Sequence, residues 1–229
     1  MALGLLEKVC TVIAASSIKE ALLKASSSPT KCVELRLDYL PEGSLKDSPR
    51  LVSALKKRGF RVVSTVRSRG EGGASDLASG EIAGLYRALI EAGSDHVDLE
   101  YRRFDRRFLE EFAGIGILSL HSYSPSRKDL EDAEVLVEDA GRYGMLAKIA
   151  LVIDDSDTLS RLIRLAGERV TIVGMGRYSL ISRVLSLLRG SSLTFAAHPE
   201  GPRVAPGQPL PRDIIEVYRL VKSSCGALP

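Results

Sequence analysis

Short apolar runs recur along the chain at nearly even spacing, each bounded by turn-forming residues. Residues 8–14, 32–38, 60–66, 95–101, 115–121, 145–151, 169–173 and 192–196 have the β-branched and aliphatic content of strands. The stretches between them read as helices. Ser17 is a candidate N-cap for a helix over 17–26, and further helices are predicted over 45–58, 79–92, 105–112, 127–143, 156–166, from the Gly174-Met175-Gly176 turn to Leu188, and over 211–223. Gly59, Gly93 and Gly144 close three of them. Eight strands alternating with eight helices imply parallel strands joined by crossovers. Eight such units fit a closed (β/α)8 TIM barrel. An open doubly wound sheet is the alternative, but the glycine fingerprint it usually carries after its first strand is replaced here by Ala14-Ala15-Ser16-Ser17. No linker or compositional break divides the chain, so residues 1–229 are expected to form one barrel domain.

Alternation within the strands separates two faces, because successive side chains point oppositely. Val33, Leu35 and Leu37 oppose Glu34, Arg36 and Asp38; Val97, Leu99 and Tyr101 oppose His96, Asp98 and Glu100. An isolated segment of this kind reads as a half-solvated strand. In a barrel jacketed by helices the apolar face packs outward on the helices and the charged face points inward, where unpaired charge is costly. The same parity turns Lys148 inward from Ala147, Ile149 and Leu151. Arg67 and His121 fall at the C-terminal ends of their strands. Glu34, Arg36, Arg67, Glu100, His121 and Lys148 thus gather at the end where barrel enzymes place their chemistry. Each alone fits a solvated loop or a structural ion pair; six at one end do not. A lysine stripped of water on an apolar strand is expected to lose its proton more easily and serve as an amine nucleophile.

Composition narrows the function classes. The charge of +3 arises from 32 basic and 29 acidic residues, without the basic stripe of a nucleic-acid binder; the arginines at 102–103 and 106–107 read as a solvated helix start. No run approaches the length of a membrane helix, and no secretory leader is read at the N-terminus, so the expected compartment is the cytoplasm. Cys10, Cys32 and Cys225 have no metal-ligand spacing; the first two are expected to be small buried apolar fillers. His96, His121 and His198 lie in different units, so no metal site is expected; His96 reads as structural and His198 is undecided. Asparagine is absent and Gln208 is the only glutamine, an amide-poor, charge-rich usage resembling thermophile proteins. The Gly174-Met175-Gly176 turn, with Arg183 in the following helix, suits an anionic substrate group, carboxylate or phosphate.

The ordered set Glu34-Leu35-Arg36-Leu37-Asp38, Thr65-Val66-Arg67-Ser68, Glu71-Gly72-Gly73, Asp98-Leu99-Glu100, Ser119-Leu120-His121, Lys148-Ile149-Ala150, Gly174-Met175-Gly176, Ser182-Arg183 and Ala205-Pro206-Gly207-Gln208 resembles the type I 3-dehydroquinate dehydratases nearly end to end. The resemblance implies a (β/α)8 fold and Schiff-base dehydration of 3-dehydroquinate in the shikimate pathway, with no cofactor. It implies Lys148 as the imine-forming amine and His121 as the acid/base, oriented by Glu34. It implies Arg183 on the substrate carboxylate, Arg36 and Arg67 on substrate hydroxyls and as cations easing loss of the lysine proton, and Met175 against the ring. Gln208 would close from a proline-rich lid, with Glu71, Asp98 and Glu100 in support. Val204, Val173 and Leu120 depart from residues usual in the family, and the barrel-bottom hairpin common there is expected to be missing. A homodimer or a monomer fits the sequence equally. The competing functions are a class I Schiff-base aldolase, with the glycine turn holding phosphate, and a non-catalytic barrel that binds a small acid.

Overall fold

The computed structural model describes residues 4–225, with the side chain of Cys225 outside that set. Eight parallel strands form one sheet: β1 Val9–Ala14, β2 Cys32–Arg36, β3 Arg61–Thr65, β4 His96–Glu100, β5 Gly116–Ser122, β6 Leu146–Leu151, β7 Val170–Ile172 and β8 Thr194–Ala197. Strands β1 to β7 follow one another in space and β8 lies beside β1, making a barrel closed except between β7 and β8. Along that seam side chains replace the ladder. The Thr171 hydroxyl donates to the Leu193 carbonyl at 2.7 Å. Arg183 spans from the Gly174 carbonyl (2.6 Å) to the Phe195 carbonyl (2.7 Å).

The helices that jacket the barrel are α2 Ile18–Ser26, α3 Ser48–Lys57, α4 Ser79–Glu91, α5 Arg106–Glu111, α6 Arg127–Arg142, α7 Ser156–Leu165, α8 Ser179–Leu188 and α9 Pro211–Cys225; one turn, α1 Leu5–Lys8, precedes β1. Their starts follow from sequence. The Ser17 hydroxyl accepts from Glu20 N, and the carboxylates of Asp105 and Asp155 accept from Phe108 N and Thr158 N, satisfying amides that the first turn leaves free. Gly144 follows α6 with φ +65°, a conformation other residues resist. The predicted helix over 45–58 begins later, because 42–47 winds as a 3-10 segment before Pro49 enters the first turn of α3.

Strand parity is as the alternation predicts. Val33, Leu35, Val97, Leu99, Ala147, Ile149 and Leu151 belong to the outer core between strands and helices. A smaller inner cluster fills the barrel with Cys10, Val12, Cys32, Val63, Ile117, Leu193 and Phe195, among others. Cys10 and Cys32 are partners in the β1–β2 register and are joined as a disulfide. Both are fully buried in this cluster, as expected of small apolar fillers, and facing the same way at one level on neighbouring strands brings their sulfurs together.

Candidate active site

Lys148 stands mid-strand in β6, and its Nζ points along the barrel interior. It meets Glu34 Oε1 from β2 at 3.0 Å and Asp98 Oδ2 from β4 at 3.1 Å. The Phe195 ring from β8 lies beneath it, 4.0 Å from centroid to nitrogen, a cation–π contact. Glu34 Oε1 also accepts from the Thr65 hydroxyl at 2.9 Å. The amine is thus an ion-paired ammonium that must pass its proton on before it can attack a carbonyl.

Arg67, just past β3, is the hub of the charge network. Its Nη2 donates to Asp98 Oδ1 at 2.6 Å, and its Nη1 donates to Glu71 Oε2, Glu100 Oε1 and the Ser119 hydroxyl at 3.1–3.2 Å. Burial opposes the Arg67 charge, but Asp98, Glu71 and Glu100 overcome it and raise its pKa. Arg36 forks onto Asp38 with bonds of 2.8 and 2.7 Å. Both arginines line the cavity, and each is paired with carboxylates.

His121, near the end of β5, presents Nδ1 to Glu71 Oε2 at 2.9 Å. This corrects the expected Glu34–His121 contact. In the β5–β6 register Ser119 is level with Lys148, so His121 lies one inward position higher. Glu34 sits at the height of the lysine; Glu71, on the loop above β3, sits at the height of the imidazole. Burial, then Arg67 and Lys148, push the His121 pKa well below its ordinary value, so the ring is neutral at neutral pH. Burial likewise raises the Glu71 carboxyl to about 7. With Nδ1 engaged, Nε2 has no hydrogen bond among the described residues and is left as a base for the cavity.

Arg183, from α8, has no exposed surface. Its Nε and Nη1 donate to the carbonyls of Phe195, Gly174 and Ser179 and to the Ser179 hydroxyl at 2.6–2.7 Å. Its Nη2 has no bond among the described residues, and no carboxylate pairs with it there; burial lowers its pKa to about 9. In the glycine turn, Met175 N donates to Leu151 O and Gly176 N to Pro206 O, so two of its three amides are already used, which disfavours a phosphate cradle.

Met175, Val173, Ala150, Val204, Ala205 and Gln208 complete the wall of the cavity over Lys148. The proline-rich strap lies docked across it. Pro209 O accepts from Ala197 N at 2.8 Å, and Gln208 is buried with Oε1 accepting from Val204 N at 3.2 Å. Gly207 has φ +67°, and a Cβ there would come 2.6 Å from the Gly176 carbonyl oxygen, so only glycine permits this seat. Glu100 backs Arg67 and accepts from Ser68 N at 2.7 Å.

Thr65, Phe195 and Tyr123 line the cavity without having been singled out from sequence, although strand parity turns the first two inward. The other histidines are structural. His96 holds Arg61 and the Ile115 carbonyl at the barrel base, and His198 bonds the Lys24 carbonyl. Among the described residues no cluster of His, Cys, Asp and Glu could hold a metal ion, and no helix is long and apolar enough to cross a membrane.

A parallel β/α barrel with its polar groups converging at the C-terminal strand ends defines the class of barrel enzymes. The chain belongs to the type I 3-dehydroquinase family, whose model matches residues 9–224. It is 31% identical over 94% of its length to a 3-dehydroquinate dehydratase of Aeropyrum pernix, 96% of which is covered. It is 27% identical to that of Methanocaldococcus jannaschii, covering 93% of this chain and 98% of the relative. A crystal structure of the type I enzyme from Clostridium difficile, with covalently modified comenic acid, shares the fold at a TM-score of 0.80 and 22% identity, covering 95% and 93% of the two chains.

Proposed function

We propose that this protein is a 3-dehydroquinate dehydratase working through an imine on Lys148. The observation that carries the reading is the pairing, in one cavity, of a buried amine with a fully buried guanidinium that has no carboxylate partner among the described residues. A substrate bearing both a ketone and a carboxylate satisfies both. Arg183 Nη2 takes the carboxylate, while Arg36 and Gln208 border the ring hydroxyls and Met175 packs on the ring. Lys148, its proton passed to Glu34, adds to the C3 ketone; the carbinolamine loses water to give a protonated imine. That cation is an electron sink, so Nε2 of His121 can take the C2 proton and leave an enamine. The enamine expels the C1 hydroxyl, which receives the proton back from the imidazolium and departs as water. A second water hydrolyses the conjugated imine, releasing 3-dehydroshikimate and the lysine. Glu71 keeps Nδ1 protonated and the ring aligned; Glu100 and Asp98 hold Arg67. The strap over the cavity acts as the lid that shelters the imine. The chemistry calls for no cofactor, since the lysine supplies the electron sink. A cytoplasmic setting belongs to the same reading, as does a homodimer or a monomer, which sedimentation distinguishes.

Borohydride reduction in the presence of 3-dehydroquinate, followed by peptide mass mapping, should place the adduct on Lys148; an unmodified Lys148 overturns the proposal. Lys148→Ala should abolish dehydration with the fold intact. His121→Ala should still form imine but turn over roughly 10²–10⁴-fold more slowly; near-normal turnover would remove it as the acid/base. The aldolase alternative predicts carbon–carbon cleavage, and the Met175 and Gly176 amides, already bonded to backbone carbonyls, argue against a phosphate seat there.

A further inference from the structure

Two carboxylates meet Lys148, and their surroundings differ. Glu34 shares Oε1 with a neutral hydroxyl, and among the described residues Lys148 is its only bonded cation. Asp98 has no exposed side-chain surface. Its Oδ1 accepts from Arg67 Nη2 and the Ser119 hydroxyl, both at 2.6 Å, which leaves Oδ2 for Lys148. Burial opposes the Asp98 charge, but Arg67 and then Lys148 hold the carboxyl well below the usual carboxylate range. A group held this way remains an anion throughout turnover.

Resting on the imine reading above, we propose that Asp98 is the fixed counter-ion of the imine nitrogen. The two carboxylates divide the work. Glu34 accepts the proton that the ammonium sheds, becoming a neutral carboxylic acid. Asp98 keeps its charge beside the nitrogen and favours the protonated imine over the neutral one, which is too weak an electron sink to acidify C2. The other groups around the nitrogen do not supply this anion. Arg36, from β2, is matched by Asp38; Arg67, above β3, is shared with Glu71 and Glu100. His121, from β5, is neutral, and Arg183, from α8, is reserved for the substrate.

Asp98→Asn keeps the shape and removes the charge. With 3-dehydroquinate as substrate, kcat should fall on the order of 30-fold while KM changes less than about threefold. The alkaline limb of kcat, and of borohydride trapping on Lys148, should move to lower pH by about one unit, since a nearby opposite charge favours the charged form. Asp98→Glu should bring the limb back even if kcat stays low, which a merely structural role does not predict. An unmoved limb in Asp98→Asn overturns the proposal, as does a shift that Asp98→Glu fails to reverse. If the asparagine variant does not fold, ¹⁵N NMR of the wild-type equilibrium adduct with 3-dehydroshikimate decides: a protonated imine at pH 8 is expected, and a neutral one overturns the proposal. Failure to trap any Lys148 adduct in the wild type would remove the dehydratase reading itself; a trapped adduct with an unmoved limb removes only the role of Asp98.

Discussion

The upper and lower halves of the barrel interior are built from the same strands and solve opposite problems. Above, Glu34, Arg36, Arg67, Asp98, Glu100 and Lys148 are nearly all out of solvent, and most have an oppositely charged partner within 3.2 Å. Below, Cys10, Val12, Cys32, Val63 and Ile117 pack as an ordinary apolar core. At its base Arg61 Nη2 donates to His96 Nε2 at 2.9 Å, which fixes His96 as the neutral tautomer donating from Nδ1 to the Ile115 carbonyl. The lower half holds the barrel together by burial and one covalent link. The upper half holds charges in place by mutual dependence, so that removing one member leaves the others buried and uncompensated. Arg183 belongs to neither pattern, because among the described residues it bonds only carbonyls and a hydroxyl and meets no carboxylate.

The sharpest way to break the contrast is Arg67→Met. It strands Asp98, Glu71 and Glu100, and should lower unfolding free energy by roughly 3–5 kcal/mol in urea titrations, besides abolishing activity. Adding Asp98→Asn should then destabilise by less than its effect alone, because the two residues share one network. In the lower half, Cys10→Ser with Cys32→Ser opens a link spanning 22 residues. The expected loss is about 3 kcal/mol, with kcat at 25 °C essentially unchanged. Thiol labelling of the denatured, unreduced protein should modify only Cys225; labelling of all three cysteines would show the bond absent.

Acid should weaken the lower half next. Burial, then Arg61, hold the His96 pKa below its ordinary value of 6.5. The unfolded chain therefore binds this proton first, and stability falls as pH drops below about 6.5, by up to about 1.4 kcal/mol per pH unit. His121 and His198, also lowered, act in the same sense. Glu71 acts oppositely: raised to about 7, it costs stability as pH rises from 4.5. His96→Asn, which keeps a side chain able to accept from Arg61, should flatten the slope by one histidine's share while leaving the pH profile of kcat alone. The smallest effect belongs to the surface, where Arg69→Ala removes an exposed pair with Asp76 and should change stability by at most about 0.5 kcal/mol.

Much of this is legible in the sequence. The inward placement of Glu34, Asp98, Glu100, His121 and Lys148 follows from alternation, once a helix-jacketed barrel demands apolar outward faces. What alternation could not supply was height. His121 lies a layer above Lys148, and that separation assigns the imidazole to Glu71 and the amine to Glu34 and Asp98. The Cys10–Cys32 link escaped for the same reason, since two cysteines 22 residues apart meet only when the β1–β2 register sets them level. The stitching of the β7–β8 seam by Arg183 had no sequence signal, because the missing ladder is a property of the closed barrel.

The sequence by itself determined the order of the eight β/α units, the two faces of each strand and the residue types available to the site. These rest on local periodicity, two residues in a strand and 3.6 in a helix, which any stretch of chain carries within itself. Only the tertiary structure decided which charge meets which. Pairing depends on the stagger between strands that are neighbours in space and far apart in sequence, and a shift of one inward position would have given Lys148 and His121 different partners.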